Sequence, residues 1–518
     1  MKKIYLILTL FFISQLNAAI IYVDKNAVGN NNGTTWANAY TSIELAFSNS
    51  IVGDKIWVAQ GVYKPTGTLR TTAYNIPNGV EVYGSFVGNE TAINQRNFTN
   101  GPTTTLNGDI NSVGVNTDNC YSVVKFTNVS SLTVFDGFKI INGYNNSSST
   151  ASGGAISNIG GQPHIRNCEF LANFAINGGA IGNSTTLANI TTITSCKITN
   201  NSSSLDGGAI YNNSGTLKLI DCDISSNTAP YGGAINVQFD VVLVDRCKLS
   251  GNSASITGGV VYLDNADSKI EMYNSLLVGN FAPEKSVMGM NSPVSNTNLS
   301  KIIGCTIVNN RNTETNPNSS FIIVMPYNNG IFQNNLLTNN ISPRVLLNGY
   351  VNNCIIDEIF VANSSSNVTT TAPIFINPNI AAQAPFQHNN FDYKLSNNSN
   401  GINAGNNTYV SPLYNFDLNG TTRIYDTTVD IGAYESATLN TEEAALNLVK
   451  CYPNPTTNRI TLNPINSEMK YSIFSVNGTL IKEGSVTTQN EEIDLSSFES
   501  GIYLLKTSVG ETIKIIKN

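Results

Sequence analysis

Few side chains in this sequence of 518 residues belong to the types that carry out acid, base or nucleophilic chemistry, and their spacing narrows the choice further. Asp221-Cys222-Asp223 sets two carboxylates two residues apart, and Arg246 follows one repeat later. If residues 221–223 form a strand, both acids point to one side, the geometry of a carboxylate pair. Glycoside hydrolysis needs two convergent carboxylates. Lyase chemistry needs a base such as Lys, Arg or His beside a group, often calcium, that neutralises the substrate's carboxylate. Asp221, Asp223 and Arg246 are therefore the catalytic candidates, although Lys197, Arg246 and Lys248 would compensate the two acids. The two histidines, His164 and His388, read as surface or turn residues, and Asp206, just before Gly207-Gly208, as a turn residue. Asp264 and Asp267 could hold calcium in a loop, but they follow no spacing motif, so no cofactor is expected.

The elements that must position these residues come from a repeat. A Gly-Gly-Ala-Ile step starts at Gly153, Gly178, Gly207 and Gly232 and becomes Gly-Gly-Val-Val at Gly258, at intervals of 25, 29, 25 and 26 residues. Between these steps runs a second phrase, Cys168 to Asn173, Cys196 to Asn201, Cys222 to Asn227 and Cys247 to Asn252. It continues as Ser275 to Asn280, Cys305 to Asn310 and Asn335 to Asn340. Apolar residues alternate within each phrase, and the gaps carry Gly, Asn, Ser and Thr, so the units are short strands joined by turns. Stacked units of this length bury their apolar faces only against one another. The expected fold is all-β: a right-handed parallel β-helix followed by a small antiparallel β-sandwich.

Stacking gives the recurring residues their roles. Asn173, Asn201, Asn227, Asn252, Asn280, Asn310 and Asn340 form an expected ladder in which each amide donates to the next carbonyl and each residue takes the left-handed backbone of its turn. Glu169, Lys197, Asp223 and Lys248 form an outward column of alternating charge. The recurring cysteines point inward in one column, which favours free buried thiols over disulfides.

Composition points outside the cytoplasm. Charged residues are 12% of the chain and the net charge is −7, with no basic stripe for nucleic acid. Residues 1–19 read as a signal peptide, with Lys2, Lys3, an apolar run and small residues up to Ala19. No later apolar stretch is long enough for a transmembrane helix. Thr41 to Glu44 has the pattern of a capping box that opens a lid helix over one end of the solenoid. The β-helix is expected over 20–436, a linker over 437–447 and the C-terminal domain over 448–518, where Asn477-Gly478 marks a hairpin among about seven strands.

On these motifs the repeats resemble those of chlamydial polymorphic outer-membrane proteins. Tyr22-Val-Asp24, Gly33-Thr-Thr-Trp36, Gly61-Val-Tyr63 and Asp430-Ile-Gly-Ala-Tyr-Glu435 resemble the opening and closing segments of secreted β-helix proteins of Bacteroidetes. The C-terminal residues Tyr452, Pro453, Asn454 and Pro455, with Gly478, Gly501 and Tyr503, resemble the type A sorting domain of the type IX secretion system. Cys451 departs from the aliphatic residue usual there. The resemblance implies export by that machinery, removal of this domain, and display on the cell surface or release. The expected passenger is a non-catalytic adhesin or glycan-binding stalk whose partner is extracellular polysaccharide or another cell surface. The alternative is a polysaccharide lyase or glycoside hydrolase.

Overall fold

The computed structural model describes residues 18–101, 103–291, 299–325, 330–356, 364–369, 375–378, 391–436, 450–463, 468–487, 492–508 and 512–518. Nearly all of the signal segment, the linker 437–447 and His388 lie outside them. The chain divides into two compact units after Ser436.

One coil of the first unit shows how the repeat folds. Strands His164–Arg166 and Glu169–Leu171 lie in a parallel sheet of 23 strands, Phe174–Asn177 in one of seven, and Ile181–Ser184 in one of ten. Between them the chain turns at single left-handed residues, Asn167 at φ 52° and Ala172 at φ 55°, and at Gly178-Gly179. That last corner demands two glycines for separate reasons. Gly178 has φ 60°, and a Cβ on Gly179 would lie 2.4 Å from the carbonyl oxygens of Ser202 and Gly208 on the next coil. Phe170 pairs with Ile140 on one side and Ile198 on the other, so inward residues stack in apolar columns.

The corners are closed by side chains from the following coil. Asn201 Oδ1 accepts from the main-chain N–H of Asn173 and from its amide, both at 3.0 Å, and the pattern repeats to Asn340. Gly143 takes the ladder position one coil earlier and donates its N–H to Asn173 Oδ1 at 2.9 Å. The left-handed residue is not the ladder asparagine, as read from sequence, but the one before it: Ala172, Asn200, Ser226, Gly251, Gly279, Asn309 and Asn339. Each ladder asparagine, one residue on, is itself buried. The cysteines are free and close the other corner the same way. Cys196 Sγ accepts from the N–H of Cys168 at 3.4 Å, and Ser275 and Asn335 replace sulfur with oxygen acceptors at 3.0 and 2.8 Å.

The lid helix spans Ile43–Ser48 and buries Ile43 and Ala46 against the first coils. Its cap is Ser42, whose Oγ accepts from Leu45 N–H, rather than Thr41. Residues 391–436 cover the outer face of the last coils. Tyr393, Leu395, Ile431, Ala433 and Tyr434 pack on Leu276, Val278, Val308 and Leu336, which occupy outward positions. Buried Arg423 ties this segment together, bonding Glu435 at 3.1 Å and the carbonyls of Asp430 and Gly432. The second unit pairs a three-stranded with a four-stranded antiparallel sheet around Ile460, Ile473, Leu505 and Ile515.

Replacing Asn227 by Ala removes the acceptor of the buried Asn201 N–H and the donor to the carbonyls of Ile198 and Ser225. We expect a loss of about 2–3 kcal/mol in denaturant unfolding of the secreted protein; a loss below about 0.5 kcal/mol would contradict the ladder's role.

Candidate functional site

The outward column of the 23-stranded sheet begins as charge and ends as apolar surface, because the closing segment covers its far end. Lys139, Glu169, Lys197, Asp223 and Lys248 sit in register on successive coils, followed by Leu276. Over its first rungs stands the irregular insert Val87–Thr103, and between insert and sheet lies an open groove of about 490 Å³. Its floor is Lys139, Glu169, Lys197 and Asp223, and its wall includes half-exposed Phe98 and Thr103.

The insert is held rigidly. The Glu90 carboxylate accepts from the N–H groups of Val87, Gly88 and Asn89 at 2.6, 2.9 and 3.1 Å. Burial pushes that carboxyl upward, but these amides outweigh burial and hold it below the usual range. Arg96 lies against the rings of Tyr83, Phe86 and Phe98 at 5.2, 5.4 and 4.8 Å and pairs with buried Asp136 at 3.0 Å. Asp136 also binds Arg166 Nε at 2.6 Å and Asn167 Nδ2 at 3.1 Å. One buried carboxylate thus fastens the insert to the coil beneath it.

Of the residues singled out from sequence, Asp221 and Asp223 both line the groove and Arg246 does not. The two acids do not share a strand. Asp221 occupies the left-handed corner at φ 54°, Cys222 points inward, and Asp223 opens the next strand. Arg246, at the equivalent corner one coil on, clamps Asp221 with Nε and Nη2 at 2.8 and 2.9 Å and also pairs with buried Asp245. The charge column is aligned, and Lys139 and Glu169 form an ion pair within it at 3.1 Å. Lys197 makes no ion pair among the described residues. His164 is outside the groove's lining, and Asp264 accepts from Asn291 at 3.1 Å. The described residues contain no group of three side chains arranged to hold a metal.

Such a surface offers ammonium donors, carboxylate acceptors and an aromatic face on one rigid floor, the set that recognises a polyhydroxyl chain. Glu169 and Asp223 are two rungs apart, about 10 Å along the axis at the strand spacing. Glu169 is paired with Lys139 at 3.1 Å, which engages part of its carboxylate. Sequence reading singled out none of Arg96, Phe98 and Asp136. The available signal was an Arg-x-Phe pair inside an irregular stretch that had to fold back on something.

Arg96→Ala should free the insert by on the order of 2 kcal/mol of local opening. Limited proteolysis would then cut between Val87 and Thr103 while the coil stack keeps its melting temperature; an uncut insert would contradict this anchoring.

Three comparisons with known proteins bear on the chain. No protein of curated function matches its sequence. Among solved structures, pectate lyase Pel9A is similar with a TM-score of 0.50 and 17% identity, over 81% of this chain and 96% of that one. A tailspike protein gp49 from Acinetobacter baumannii bacteriophage Fri1, a capsular polysaccharide depolymerase, has a TM-score of 0.28 and 10% identity, over 96% of this chain and 77% of that one. At these identities the first likeness is one of fold alone. Residues 450–518 match the family described as secretion system C-terminal sorting domain, so the second unit is the type IX sorting domain and the protein is secreted or displayed at the cell surface.

Proposed function

We propose that the β-helix is a glycan-binding module, carried out of the cell by its sorting domain, that holds a polysaccharide chain in the groove beneath the insert Val87–Thr103. The observation that carries this reading is the stretch of outer sheet left open between that insert and the closing segment 391–436. There Lys197, exposed and without an ion pair among the described residues, stands one rung from Glu169 and one rung from Asp223, across from Phe98. A groove of this kind offers hydrogen-bond partners of both signs along the chain's direction and an apolar ring for the C–H face of a sugar. The apolar outward residues of later coils are buried by the chain itself, so they present no competing surface.

A second reading, a polysaccharide lyase or glycoside hydrolase, has one observation in its favour. An unpaired lysine beside carboxylates is the residue type that abstracts a proton in an elimination. Against it stands the clamp of Arg246 on Asp221 at 2.8 and 2.9 Å, which engages one of the carboxylates lining the groove.

The two readings separate in one experiment. The secreted full-length protein is titrated with acidic and neutral polysaccharides while unsaturated products and new reducing ends are followed. Binding without turnover is expected, weakened about five- to tenfold by Phe98→Ala and by Lys197→Ala. Turnover abolished by Lys197→Ala would replace the binding reading with the lyase; absence of binding to every glycan would end both.

A further inference from the structure

The floor of the groove carries a regularity that binding a sugar chain does not by itself call for. Lys139, Lys197 and Lys248 hold the outward position of every second coil, and Glu169 and Asp223 hold the coils between, all in register. Neighbouring coils lie about 4.8 Å apart, so one lysine follows another at about 9.6 Å. Alternating charge could serve only to pair coil with coil, yet such exposed pairs contribute little. Of the three lysines, only Lys139 is in an ion pair among the described residues, with Glu169 at 3.1 Å. Lys197 is exposed and Lys248 half-buried, so both ammonium groups are within reach of a ligand.

The row beside this column sets the chemistry of each rung. Every coil brings its left-handed corner residue to the groove next to its outward residue: Asn167 with Glu169, Ser195 with Lys197, and Asp221 with Asp223. The middle rung therefore joins an ammonium to the exposed hydroxyl of Ser195, two donors suited to a carboxylate. The rung after it presents two carboxylates, which accept from hydroxyls and repel anions. On the rung before it, the Asn167 amide already donates to buried Asp136 at 3.1 Å, and Glu169 is again an acceptor. The floor thus alternates acceptor, donor and acceptor at steps of one coil. That step of about 4.8 Å is close to the length of one pyranose unit, and two coils match a disaccharide.

We infer that the groove selects a polysaccharide with a disaccharide repeat, in which a uronate alternates with a neutral sugar. One uronate carboxylate sits on Lys197 and Ser195, the next meets the lysine two coils away, and the neutral sugars donate hydroxyls to Glu169 and Asp223. The inference rests on the glycan-binding reading and adds to it the charge pattern of the bound chain. A neutral glycan leaves the lysines unanswered. A uniform polyuronate carries a carboxylate on every sugar, and the charged lining left for the surplus is Glu169, Asp221 and Asp223, which repels it.

Full-length secreted protein is titrated by calorimetry with hexasaccharides of hyaluronan and of unsulfated chondroitin, and with hexagalacturonate and cellohexaose as the uniform acidic and neutral probes. At least one alternating hexasaccharide should bind about tenfold tighter than either uniform probe, and Lys197→Ala should weaken it about five- to tenfold. Glu169→Gln and Asp223→Asn should each strengthen hexagalacturonate binding about two- to fivefold, a gain that a misfolded variant cannot produce. The charge pattern is overturned if a uniform probe binds as tightly as both alternating ones, or if the two acid substitutions leave hexagalacturonate binding unchanged. A uniform probe whose binding falls with Phe98→Ala would overturn the pattern while keeping the glycan-binding reading. Binding of none of the four hexasaccharides, nor of any polysaccharide, would overturn both.

Discussion

A coil that changes direction within two or three residues exposes main-chain N–H groups that no sheet can satisfy, and each must find an acceptor inside a dry core. This protein supplies that acceptor from the next coil. At one corner it is an asparagine amide, at another a cysteine sulfur or its serine and asparagine substitutes, and at the third the main chain itself, brought close by paired glycines. The solution works only if every coil has the same pitch and register as its neighbours. Rigidity of the outer faces follows from it, because a residue on one coil cannot move without breaking the corner of the coil before.

That rigid surface is then divided by what lies on top of it. Near the N-terminal end, Arg96 and Asp136 fasten an insert over the sheet and leave a groove. Near the C-terminal end, the segment around Arg423 and Glu435 packs over part of the sheet, where the outward positions have become Leu276, Val308 and Leu336. The charged stretch between is the part of the face that remains available to a ligand. Charge pairing along it is weaker than its alternation suggests, since exposed pairs of this kind contribute little to stability. Their value lies in presenting both donors and acceptors at fixed spacing.

The repeats were legible because they obey local chemistry. Gly-Gly at the sharp corner, alternating Ile and Val in the strands, and Asn or Cys after each turn all recur at nearly constant period, and the Tyr-Pro-Asn-Pro segment was legible at the C-terminus. A second amide ladder, Asn158 to Asn183 to Asn212 at 2.7 Å, stands five residues after the glycine that opens each step and was readable, but it escaped notice because it lapses to Val237 and Leu263. The left-handed position was misplaced by one residue, since Asn is common on both sides of the corner and only the hydrogen bonds tell them apart. Asp221 and Asp223 were paired by counting along a strand, whereas the corner at Asp221 separates them. The groove itself was not legible, because it depends on an insert folding back over a sheet strands away in sequence.

The central claim is that a glycan lies along the charged stretch of the long sheet beneath the Val87–Thr103 insert. Hydrogen–deuterium exchange of the full-length protein, with and without a saturating polysaccharide, tests it directly. Slowed exchange confined to the insert and to the strands carrying Glu169, Lys197 and Asp223 is the predicted result. Protection absent there but present elsewhere on the passenger, or on the sorting domain, would contradict the account.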